Sequence, residues 1–341
     1  MSRNYFITGG AGFIGSNYVS RLLERGEKVT IFDNLSRAGA PRNLAWLQEK
    51  FGGTAFRLTV GDVRDAALLE ASSRAADVII HLAGQVAVTT SVVNPREDFE
   101  INAQGTFNVL EAARLNERKP IILYASTNKV YGGMEDVKVV EDATRWRYAD
   151  LPLGCPETQP LDFHSPYGCS KGSGDQYVHD YARIYGLRSV VLRQSCIYGP
   201  RQFGVEDQGW VAWMIIAAVT GRPLTIYGDG KQIRDVLHVD DLLNAYDTAI
   251  ARIDRVKGQV YNLGGGPENT MSIWTEFGPL LEKLLGKPVP VARGDWRPGD
   301  QKVFVADIRK AGRELGWKPK VGVEEGVGRL FEWVRENMDL F

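Results

Sequence analysis

The chain has 341 residues, of which 44% are hydrophobic, so it is long enough to bury a large core in one large domain with a smaller lobe. Lysine and arginine (41 residues) nearly balance aspartate and glutamate (42 residues), which leaves no strong field that would attract nucleic acid or an anionic membrane. No charged-then-apolar leader precedes the first predicted strand, and no apolar run approaches the roughly 18 residues of a membrane span, so we expect a cytoplasmic protein.

The first predicted element is a short apolar strand, residues 4–8, which runs into a glycine turn and then into a helix over residues 16–23. Three glycines stand three residues apart, as Gly-x-x-Gly-x-x-Gly. Gly9 permits the tight turn, Gly12 lets the backbone approach phosphates, and Gly15 lets the helix pack close to the strand. This order predicts a pyrophosphate cradle rather than a plain structural turn. The candidate residues are Gly9, Gly12, Phe13, Ile14 and Gly15.

The second predicted strand, residues 28–32, ends at Asp33. A carboxylate at this position accepts hydrogen bonds from the adenosine ribose hydroxyls and repels the extra phosphate of NADP, so Asp33 favours NAD. Arg37 favours NADP instead, because a nearby arginine can bind a 2′-phosphate. The alternative for Asp33 is a plain turn residue. The candidate cofactor residues in this turn are Asp33, Asn34, Ser36 and Arg37.

The alternation continues with a helix over residues 43–51, a strand over 55–60, a helix over 66–74 and a strand over 78–82. Strands separated by helices of this length predict an α/β fold with a doubly wound parallel sheet. Ligands collect at the carboxyl ends of such strands, where Asp62 can reach the adenine amino group and His81 is expected to be a structural hydrogen-bonding residue. The cofactor candidates at these ends are Asp62, Val63, Leu82, Ala83 and Gln85.

A long helix is predicted over residues 95–115 and a fifth strand over 121–125, followed by roughly thirty residues rich in proline, glycine and charge. A helix over 165–185 and a strand over 189–193 come next, and a second lobe begins beyond Pro200. The helices predicted there cover 211–220, 241–253, 273–285 and 323–337, and the strands cover 224–227 and 260–262.

Tyr167 and Lys171 lie four residues apart near a predicted helix start, so both project from one face. Lowering the pKa of a tyrosine from about 10 to about 7 takes roughly 4 kcal/mol. A positive charge at about 4 Å supplies roughly that much at an effective dielectric near 20, and Lys171 and an oxidised nicotinamide would provide two. Thr127, leaving the fifth strand, offers a hydroxyl to a substrate oxygen. A plain helix pair is the alternative.

Together these motifs resemble the extended short-chain dehydrogenase/reductases, the NAD-dependent epimerase/dehydratase family that acts on nucleotide sugars. The matching positions are residues 8–15, Asp33, Asp62, residues 81–85, Asn102, Thr127, Tyr167 and Lys171. The resemblance, which extends from Tyr5 to about Trp333, implies a Rossmann-type fold with a smaller, interwoven C-terminal lobe. The implied NAD-binding domain covers residues 1–195, and a lobe for the sugar nucleotide mainly covers 196–341.

The resemblance also implies roles for single residues. Tyr167 is the base, Lys171 lowers its pKa and binds the nicotinamide ribose, Thr127 orients the sugar hydroxyl, and Asn102 contacts the cofactor. NAD is then a tightly retained cofactor rather than one exchanged in every cycle. Relatives pair through the helices that correspond to residues 95–115 and 166–185, so we expect a homodimer or homotetramer.

Two segments of the second lobe, residues 230–236 and 297–300, resemble those that hold a sugar nucleotide. Arg234 and Arg297 suit a pyrophosphate, because the guanidinium fork pairs with phosphate oxygens, and Asp300 can accept a ribose hydroxyl. The alternative is surface salt bridging, Arg234 with Asp235 or Arg297 with Asp300. The full set of substrate candidates is Thr127, Asn128, Arg201, Gln208, Arg234, Arg297 and Asp300.

Departures from the wider family pattern narrow the range of reactions that the sequence predicts. The 4,6-dehydratases carry an acidic pair after the threonine, whereas this chain has Asn128 and Lys129, which argues against dehydration. Cys196 stands where many relatives have a substrate-contacting asparagine, and we expect a small buried thiol there. Trp210 and Trp213 either line the base or sugar pocket or belong to the core. The three scattered cysteines predict neither a disulfide framework nor a metal site.

Within the family, residues 126–132, 198–211, 228–238 and 300–307 are most similar to the CDP-paratose 2-epimerases. That resemblance implies redox-neutral epimerisation at C2 of a CDP-linked deoxyhexose, through a transient 2-keto sugar. Two alternatives stay open. One is a C4 epimerase of UDP-hexoses or UDP-N-acetylhexosamines, and the other is a non-catalytic NAD-sensing or scaffold protein.

Overall fold

The computed structural model of the protein describes residues 2–297 and 300–341; Pro298 and Gly299, within the predicted sugar-nucleotide segment, lie outside the described residues. The helices are α1 Phe13–Glu24, α2 Gly39–Phe51, α3 Ala66–Ser73, α4 Val88–Val93, α5 Pro95–Phe99, α6 Gly105–Leu115, α7 Ser165–Tyr185, α8 Trp210–Thr220, α9 Val239–Ala251, α10 Ile253–Val256, α11 Phe277–Leu285, α12 Arg309–Leu315 and α13 Val323–Glu336. A π-helical turn, Glu100–Gln104, joins α5 to α6, and short 3₁₀ turns cover Asn128–Tyr131 and Met338–Leu340.

The strands follow in chain order. They are β1 Asn4–Thr8, β2 Lys28–Asp33, β3 Arg57–Val60, β4 Val78–His81, β5 Ile121–Thr127, β6 Val139–Glu141, β7 Trp146–Tyr148, β8 Arg188–Gln194, β9 Cys196–Tyr198, β10 Leu224–Tyr227, β11 Ile233–His238, β12 Val260–Leu263, β13 Thr270–Ser272, β14 Val291–Gly294 and β15 Val303–Phe304.

Seven strands form the main sheet, in the order β3-β2-β1-β4-β5-β8-β12. The pairs β1–β2, β1–β4, β2–β3 and β4–β5 are parallel, and all four residues of β4 are buried, as expected for a sheet covered on both faces. The strand order reverses between β1 and β4, and this is the point where such sheets open a crevice at their carboxyl ends. The predicted doubly wound, Rossmann-type sheet is therefore confirmed.

The chain divides into two compact units. The first unit consists of Met1–Val130, Ser165–Arg193 and Tyr246–Tyr261, and the second of Tyr131–His164, Gln194–Ala245 and Asn262–Phe341. The first has its own apolar core under the main sheet, and the second has a core built largely on α8, α11 and α13. Among the described residues, no helix combines the length and the apolar character needed to cross a membrane.

The second unit contains most of the strands that the sequence patterns did not predict. Its largest sheet orders β13, β11 and β15, with β9 also paired to β11, and two ribbons pair β10 with β14 and β6 with β7. Several of these strands have only two or three residues, which is too short for a period-2 pattern to stand out.

Two predicted helices differ from the structure in ways that have local causes. The predicted helix over 95–115 is interrupted by the π-helical turn Glu100–Gln104. The predicted helix over 273–285 begins only at Phe277. The Ser272 N–H donates to the Glu276 carboxylate and the Glu276 N–H donates to the Ser272 hydroxyl, both at 2.9 Å, and this reciprocal pair closes a turn ahead of the helix.

Two glycines of α13 give a matched test of packing in the second unit. A Cβ at Gly326 would overlap the Tyr198 hydroxyl, whereas a Cβ at Gly328 would meet nothing within 4 Å. Gly326→Ala should therefore lower the free energy of unfolding by about 1–3 kcal/mol, as overpacking does, and Gly328→Ala should change it by about 1 kcal/mol at most, in the stabilising direction. Urea unfolding of the two variants measures both effects, and equal stabilities would contradict this account of the packing.

Candidate active site

The glycine turn after β1 has the geometry that a dinucleotide cradle needs. Gly9 has a φ of 69°, and a Cβ there would lie 2.8 Å from the Ala83 nitrogen. A Cβ at Gly15 would overlap the Gly9 carbonyl oxygen, so only glycine lets α1 pack this close to the turn. Gly12 caps α1 without a side-chain hydrogen bond, which leaves the first N–H groups of the helix to a ligand. The turn therefore fits a pyrophosphate, and Phe13 and Ile14 form the first residues of α1.

Asp33 ends β2 beside this turn. Its carboxylate accepts the Ala11 N–H at 3.0 Å and the Leu35 N–H at 2.8 Å. Burial raises the pKa of Asp33, and these two hydrogen bonds act in the opposite direction. Each carboxylate oxygen accepts one of these two N–H groups, and a carboxylate oxygen can accept a further hydrogen bond from a ribose hydroxyl.

Asn34 and Asp62, two further candidates, contact each other. The Asn34 amide donates to Asp62 at 2.9 Å, and Arg64 donates to both Asp62 oxygens at 2.9 and 2.8 Å. These donors, Arg64 first, lower the pKa of Asp62 to about 2. Ser36 and Arg37 are exposed in the following turn, and Val63 is buried. An adenine amino group would have to share the Asp62 carboxylate with Arg64.

The end of β4 is held by Asn102. The Gln85 N–H donates to the Asn102 amide oxygen at 2.9 Å, and the Asn102 amide nitrogen donates to the Gln85 carbonyl at 3.0 Å and to the Ser170 hydroxyl at 3.1 Å. Asn102 lies in the π-helical turn Glu100–Gln104, a distortion common at functional sites. Leu82 and Ala83 form the segment between β4 and Gln85.

His81 is neutral and structural, as expected. Burial lowers its pKa to about 3, with Lys171 adding to the effect. The Thr106 hydroxyl donates to the Asn102 carbonyl at 2.5 Å, so it accepts from His81 Nε2 at 3.1 Å. His81 Nδ1 then accepts from the Thr8 hydroxyl at 2.7 Å, which fixes the Nε2–H tautomer.

Tyr167 and Thr127 interact in the first unit. Both side chains are buried, Tyr167 in the first turn of α7 and Thr127 at the end of β5. Burial raises the pKa of Tyr167 to about 12, and the hydrogen bond with the Thr127 hydroxyl lowers it. Lys171 is not among the causes of this shift, so the chain itself does not supply the near-neutral pKa that the sequence argument assigned to lysine and nicotinamide together.

Lys171 is buried one helical turn after Tyr167. Its ammonium donates to the Ala125 carbonyl at 2.6 Å and lies 4.4 Å from the centre of the Tyr124 ring. Burial lowers the pKa of Lys171 to about 8, while Asp175 and Asp98 act in the opposite direction. At neutral pH the amine is therefore mostly protonated.

Asn128 and Lys129 follow Thr127 directly. Asn128 is buried, and its amide oxygen lies 3.4 Å from the Thr127 hydroxyl, while the Lys129 N–H donates to that hydroxyl at 3.2 Å. Neither residue supplies a carboxylic acid beside Thr127.

The substrate candidates of the second unit carry ion pairs that differ from the pairing considered above. Arg234 pairs with Asp300 at 2.7 Å rather than with Asp235, and its side chain is 9% exposed. Asp235 instead accepts the Ser195 hydroxyl and the Gly266 N–H, and burial raises its pKa to about 6. The alternative pairing of Arg234 with Asp235 is therefore wrong, because Asp235 is enclosed by other donors.

Arg297 also has carboxylate neighbours other than Asp300. It lies 3.3 Å from Asp207 and 3.6 Å from Glu206, and its guanidinium carbon lies 4.0 Å from the centre of the Tyr227 ring. The alternative pairing of Arg297 with Asp300 is wrong, since Asp300 pairs with Arg234.

The remaining candidates of the second unit lie around β9 and α8. Arg201 has a φ of 69° and lies over the Trp333 ring, and the Gln208 N–H donates to the Val205 carbonyl at 2.9 Å. Cys196 is half-buried and packs against the apolar core of this unit. Trp210 packs on the Phe277 ring with 5.3 Å between centroids, and its buried ring nitrogen has no hydrogen-bond partner among the described residues.

Sequence reasoning missed the buried polar residues behind the Tyr167–Lys171 pair. Asp175 forms an ion pair with Arg193 through two contacts of 2.9 Å and accepts the Ser126 hydroxyl at 2.7 Å. The i,i+4 spacing of Lys171 and Asp175 on the predicted helix was the available signal. Asp98 is one of four charged residues within 96–100, and no pattern there distinguishes a buried member. Across residues 2–297 and 300–341, no three His, Cys, Asp or Glu side chains gather to hold a metal ion.

A doubly wound parallel sheet, a glycine turn after β1 and a Tyr-x-x-x-Lys pair after β5 define the class of short-chain dehydrogenases/reductases. A family model described as GDP-mannose 4,6 dehydratase matches residues 6–330, and the chain belongs to this family of NAD-dependent epimerases and dehydratases. The chain is thus an enzyme, and the scaffold alternative is not retained.

Three relatives illustrate the range of the family. The chain is 47% identical to a CDP-paratose 2-epimerase of Salmonella typhi, covering 96% of this chain and 98% of that one. It is 35% identical to a dTDP-glucose 4,6-dehydratase of Streptomyces antibioticus, covering 98% and 93% of the two chains. A crystal structure of a UDP-glucose 4-epimerase from Thermus thermophilus in complex with NAD is similar with a TM-score of 0.81 at 31% identity, covering 98% and 99%.

The Thr127 hydroxyl gives a test of the geometry around Tyr167. Thr127→Val removes the hydrogen bond that lowers the pKa of Tyr167, so that pKa rises. We expect Tyr167 to be the general base, which acts in its deprotonated form, so the acid limb of the kcat/KM profile should move to higher pH, with about a tenfold loss of rate at neutral pH for each pH unit moved. Thr127→Ser keeps the hydroxyl and should keep the limb in place. An unmoved acid limb in Thr127→Val would contradict this role.

Proposed function

We propose that the enzyme epimerises C2 of a CDP-linked deoxyhexose, in the direction CDP-paratose to CDP-tyvelose or its reverse. The observation that carries the proposal is the 47% identity to a CDP-paratose 2-epimerase over 96% of the chain. Asn128 and Lys129 support it, because neither can act as the carboxylic acid that a 4,6-dehydratase uses after the threonine.

NAD is the cofactor, as in the solved relative. We propose that the α1 N-terminus holds the pyrophosphate, Asp33 the adenosine ribose, and Lys171 the nicotinamide ribose, with Asn102 and Gln85 shaping the end of β4 beside them. When bound, NAD supplies a reversible hydride acceptor, so the sugar is neither oxidised nor reduced overall. The first unit supplies all of these residues.

Tyr167 and Thr127 act on the sugar hydroxyl in this proposal. Thr127 holds the C2 hydroxyl oxygen, and Tyr167 removes its proton as C2 becomes a ketone. Tyr167 returns the proton when the hydroxyl forms again on the opposite face. The Lys171 ammonium stabilises the phenolate in the interval.

The second unit, corresponding to most of the predicted lobe 196–341, is proposed to hold the nucleotide. Arg234 and Arg297 would each exchange a carboxylate neighbour for a diphosphate oxygen, and Asp300, released from Arg234, would accept a ribose hydroxyl. Arg201 and Gln208 are proposed to complete this set.

A C4 epimerase of UDP-sugars is the second candidate. The observation that favours it is the likeness to the UDP-glucose 4-epimerase from Thermus thermophilus over nearly the whole chain. The same three residues, Thr127, Tyr167 and Lys171, serve either carbon, so the difference between the two functions lies in how the sugar is presented.

A homo-oligomer is proposed from the exposed apolar residues of α6 and α7. Phe107, Tyr177, Ile184 and Tyr185 are between 40% and 65% exposed, and the rings of Phe107 and Tyr177 lie 5.9 Å apart. A contiguous apolar face of this kind suits a second copy of the chain.

Ile184→Asp tests this oligomer. A buried charge in the pairing face should convert the assembly to single chains in light scattering after gel filtration. Val60→Asp, at an apolar position that is 59% exposed at the end of β3, is the control and should leave the mass unchanged. A single-chain mass for the unsubstituted protein would overturn the proposal.

The C2 assignment is tested by following sugars by NMR. Incubation with CDP-paratose should give a product inverted only at C2, whereas UDP-glucose and UDP-N-acetylglucosamine should stay unchanged. Inversion of a UDP-sugar at C4, with CDP-paratose unchanged, would establish the second candidate instead.

The same assay examines the proposed diphosphate contact. Arg297→Met should raise KM for the nucleotide sugar about tenfold or more with kcat little changed, because it removes a charge-assisted hydrogen bond that acts equally before and during the reaction. Arg293→Met, at an exposed arginine of β14, is the matched control.

A further inference from the structure

Asp98 is a buried carboxylate to which neither the sequence motifs nor the proposed mechanism gives a role. It lies in α5, and its side chain is 1% exposed. One oxygen accepts the Ser170 hydroxyl at 2.5 Å, and the other accepts the Gln85 and Asn102 amide nitrogens at 2.8 and 3.1 Å. All three donors are neutral. In the part of the chain that the structure describes, no lysine, arginine or histidine forms an ion pair with Asp98.

A carboxylate in such a place is costly. Desolvation of a charge costs several kcal/mol, so hydrogen bonds or a cation must act against it. Buried charges of this kind concentrate at functional sites, where the field they create serves a reaction. The neighbours of Asp98 indicate which groups its charge acts on.

The three donors come from α7, from the segment after β4 and from the π-helical turn. Ser170 directly precedes Lys171 and lies three residues after Tyr167 on α7. Gln85 and Asn102 bond to each other reciprocally at 2.9 and 3.0 Å. Asp98 therefore ties α5 and the π-helical turn to the helix that carries the proposed base and its lysine.

Two carboxylates, Asp175 and Asp98, favour the protonated amine of Lys171. From α7 itself, Asp175 favours the protonated amine more strongly than Asp98 does, and it is paired with Arg193 of β8 through two contacts of 2.9 Å. From β4, His81 is neutral, because burial lowers its pKa to about 3.

The other ionisable side chains at this face are phenols. Tyr124 of β5 presents the face of its ring to the ammonium, and burial raises its pKa. Tyr167 of α7 is likewise neutral near pH 7, since burial raises its pKa to about 12. Of the two carboxylates that act on Lys171, Asp98 of α5 is thus the one that forms no ion pair within the described residues.

We propose that Asp98 is a positioning residue of the reaction, whose charge keeps the buried Lys171 ammonium protonated and whose hydrogen bonds fix Ser170 between Tyr167 and Lys171. The inference rests on the proposed function only for the roles of Tyr167 and Lys171. It does not depend on which sugar or which carbon reacts.

The negative charge of Asp98 shifts the pKa of Lys171 and the pKa of Tyr167 in the same direction. It favours the protonated amine of Lys171 and disfavours the phenolate of Tyr167, so both groups titrate at higher pH in its presence. Removing the charge without changing the shape of the side chain should therefore move both groups to lower pH. A purely structural role for Asp98 would lower the rate without such a displacement.

Asp98→Asn in the full chain tests the inference directly. The pKa of Lys171 is measured by NMR titration of ¹³Cε-lysine, with the signal assigned by its absence in Lys171→Met. The pKa should fall by about one unit in Asp98→Asn. Glu97→Gln removes a half-buried carboxylate one residue earlier on α5 and should leave the Lys171 titration unchanged. If Asp98→Asn does not fold, Asp98→Ser, which leaves room for a water molecule, takes its place.

Kinetic measurements separate the effect of the Asp98 charge from the effect of its hydrogen bonds. With whichever nucleotide sugar the enzyme converts, both limbs of the pH profile should move to lower pH in Asp98→Asn. Ser170→Ala keeps the charge and should lower kcat with both limbs in place. An unchanged Lys171 pKa in Asp98→Asn overturns the inference. Since the NMR titration needs no sugar, inactivity toward CDP-paratose would overturn the proposed reaction and leave this result standing.

Discussion

The burial of Tyr167 and Lys171, two ionisable groups of α7, is the constraint on which the arrangement of the residues around them depends. A phenol and an amine enclosed by protein are pushed toward their neutral forms, and here burial raises the pKa of Tyr167 to about 12 and lowers that of Lys171 to about 8. The proposed mechanism needs a base and a cation at this place, so the surroundings must act against burial. The Thr127 hydroxyl does so for the phenol, and the carboxylates Asp175 and Asp98 do so for the amine.

Two features of the main sheet place these groups at one edge. The carboxyl end of β5 places Thr127 near the start of α7, and the strand reversal between β1 and β4 opens the glycine turn and the Gln85 segment at the same edge of the sheet. The π-helical turn Glu100–Gln104 then brings Asn102 under that edge, where it bonds to Gln85 and Ser170. Positive charge from the cofactor is the remaining influence that would bring the pKa of Tyr167 toward neutrality.

The sequence predicted the parts of the molecule that follow local rules. The glycine spacing, Asp33 at the end of β2 and the Tyr167–Lys171 pair are patterns within short segments, and α7 was predicted with its observed bounds. Prediction from the sequence failed where contacts between distant parts of the chain determine the structure. The π-helical turn, the short strands of the second unit and the partners of Arg234 and Arg297 depend on residues distant in the chain. Asp98 resembled a solvated charge, because only the packed structure encloses it.

The central claim is that one residue, Tyr167, serves both halves of a reaction in which the hydrogen removed from C2 returns to C2. It is tested most directly with CDP-paratose carrying deuterium at C2, incubated in ordinary water and examined by NMR and mass spectrometry. The account predicts an inverted product that keeps its deuterium at C2, and no product with Tyr167→Phe. Replacement of the deuterium by solvent hydrogen would show inversion through proton exchange at carbon and would contradict the account.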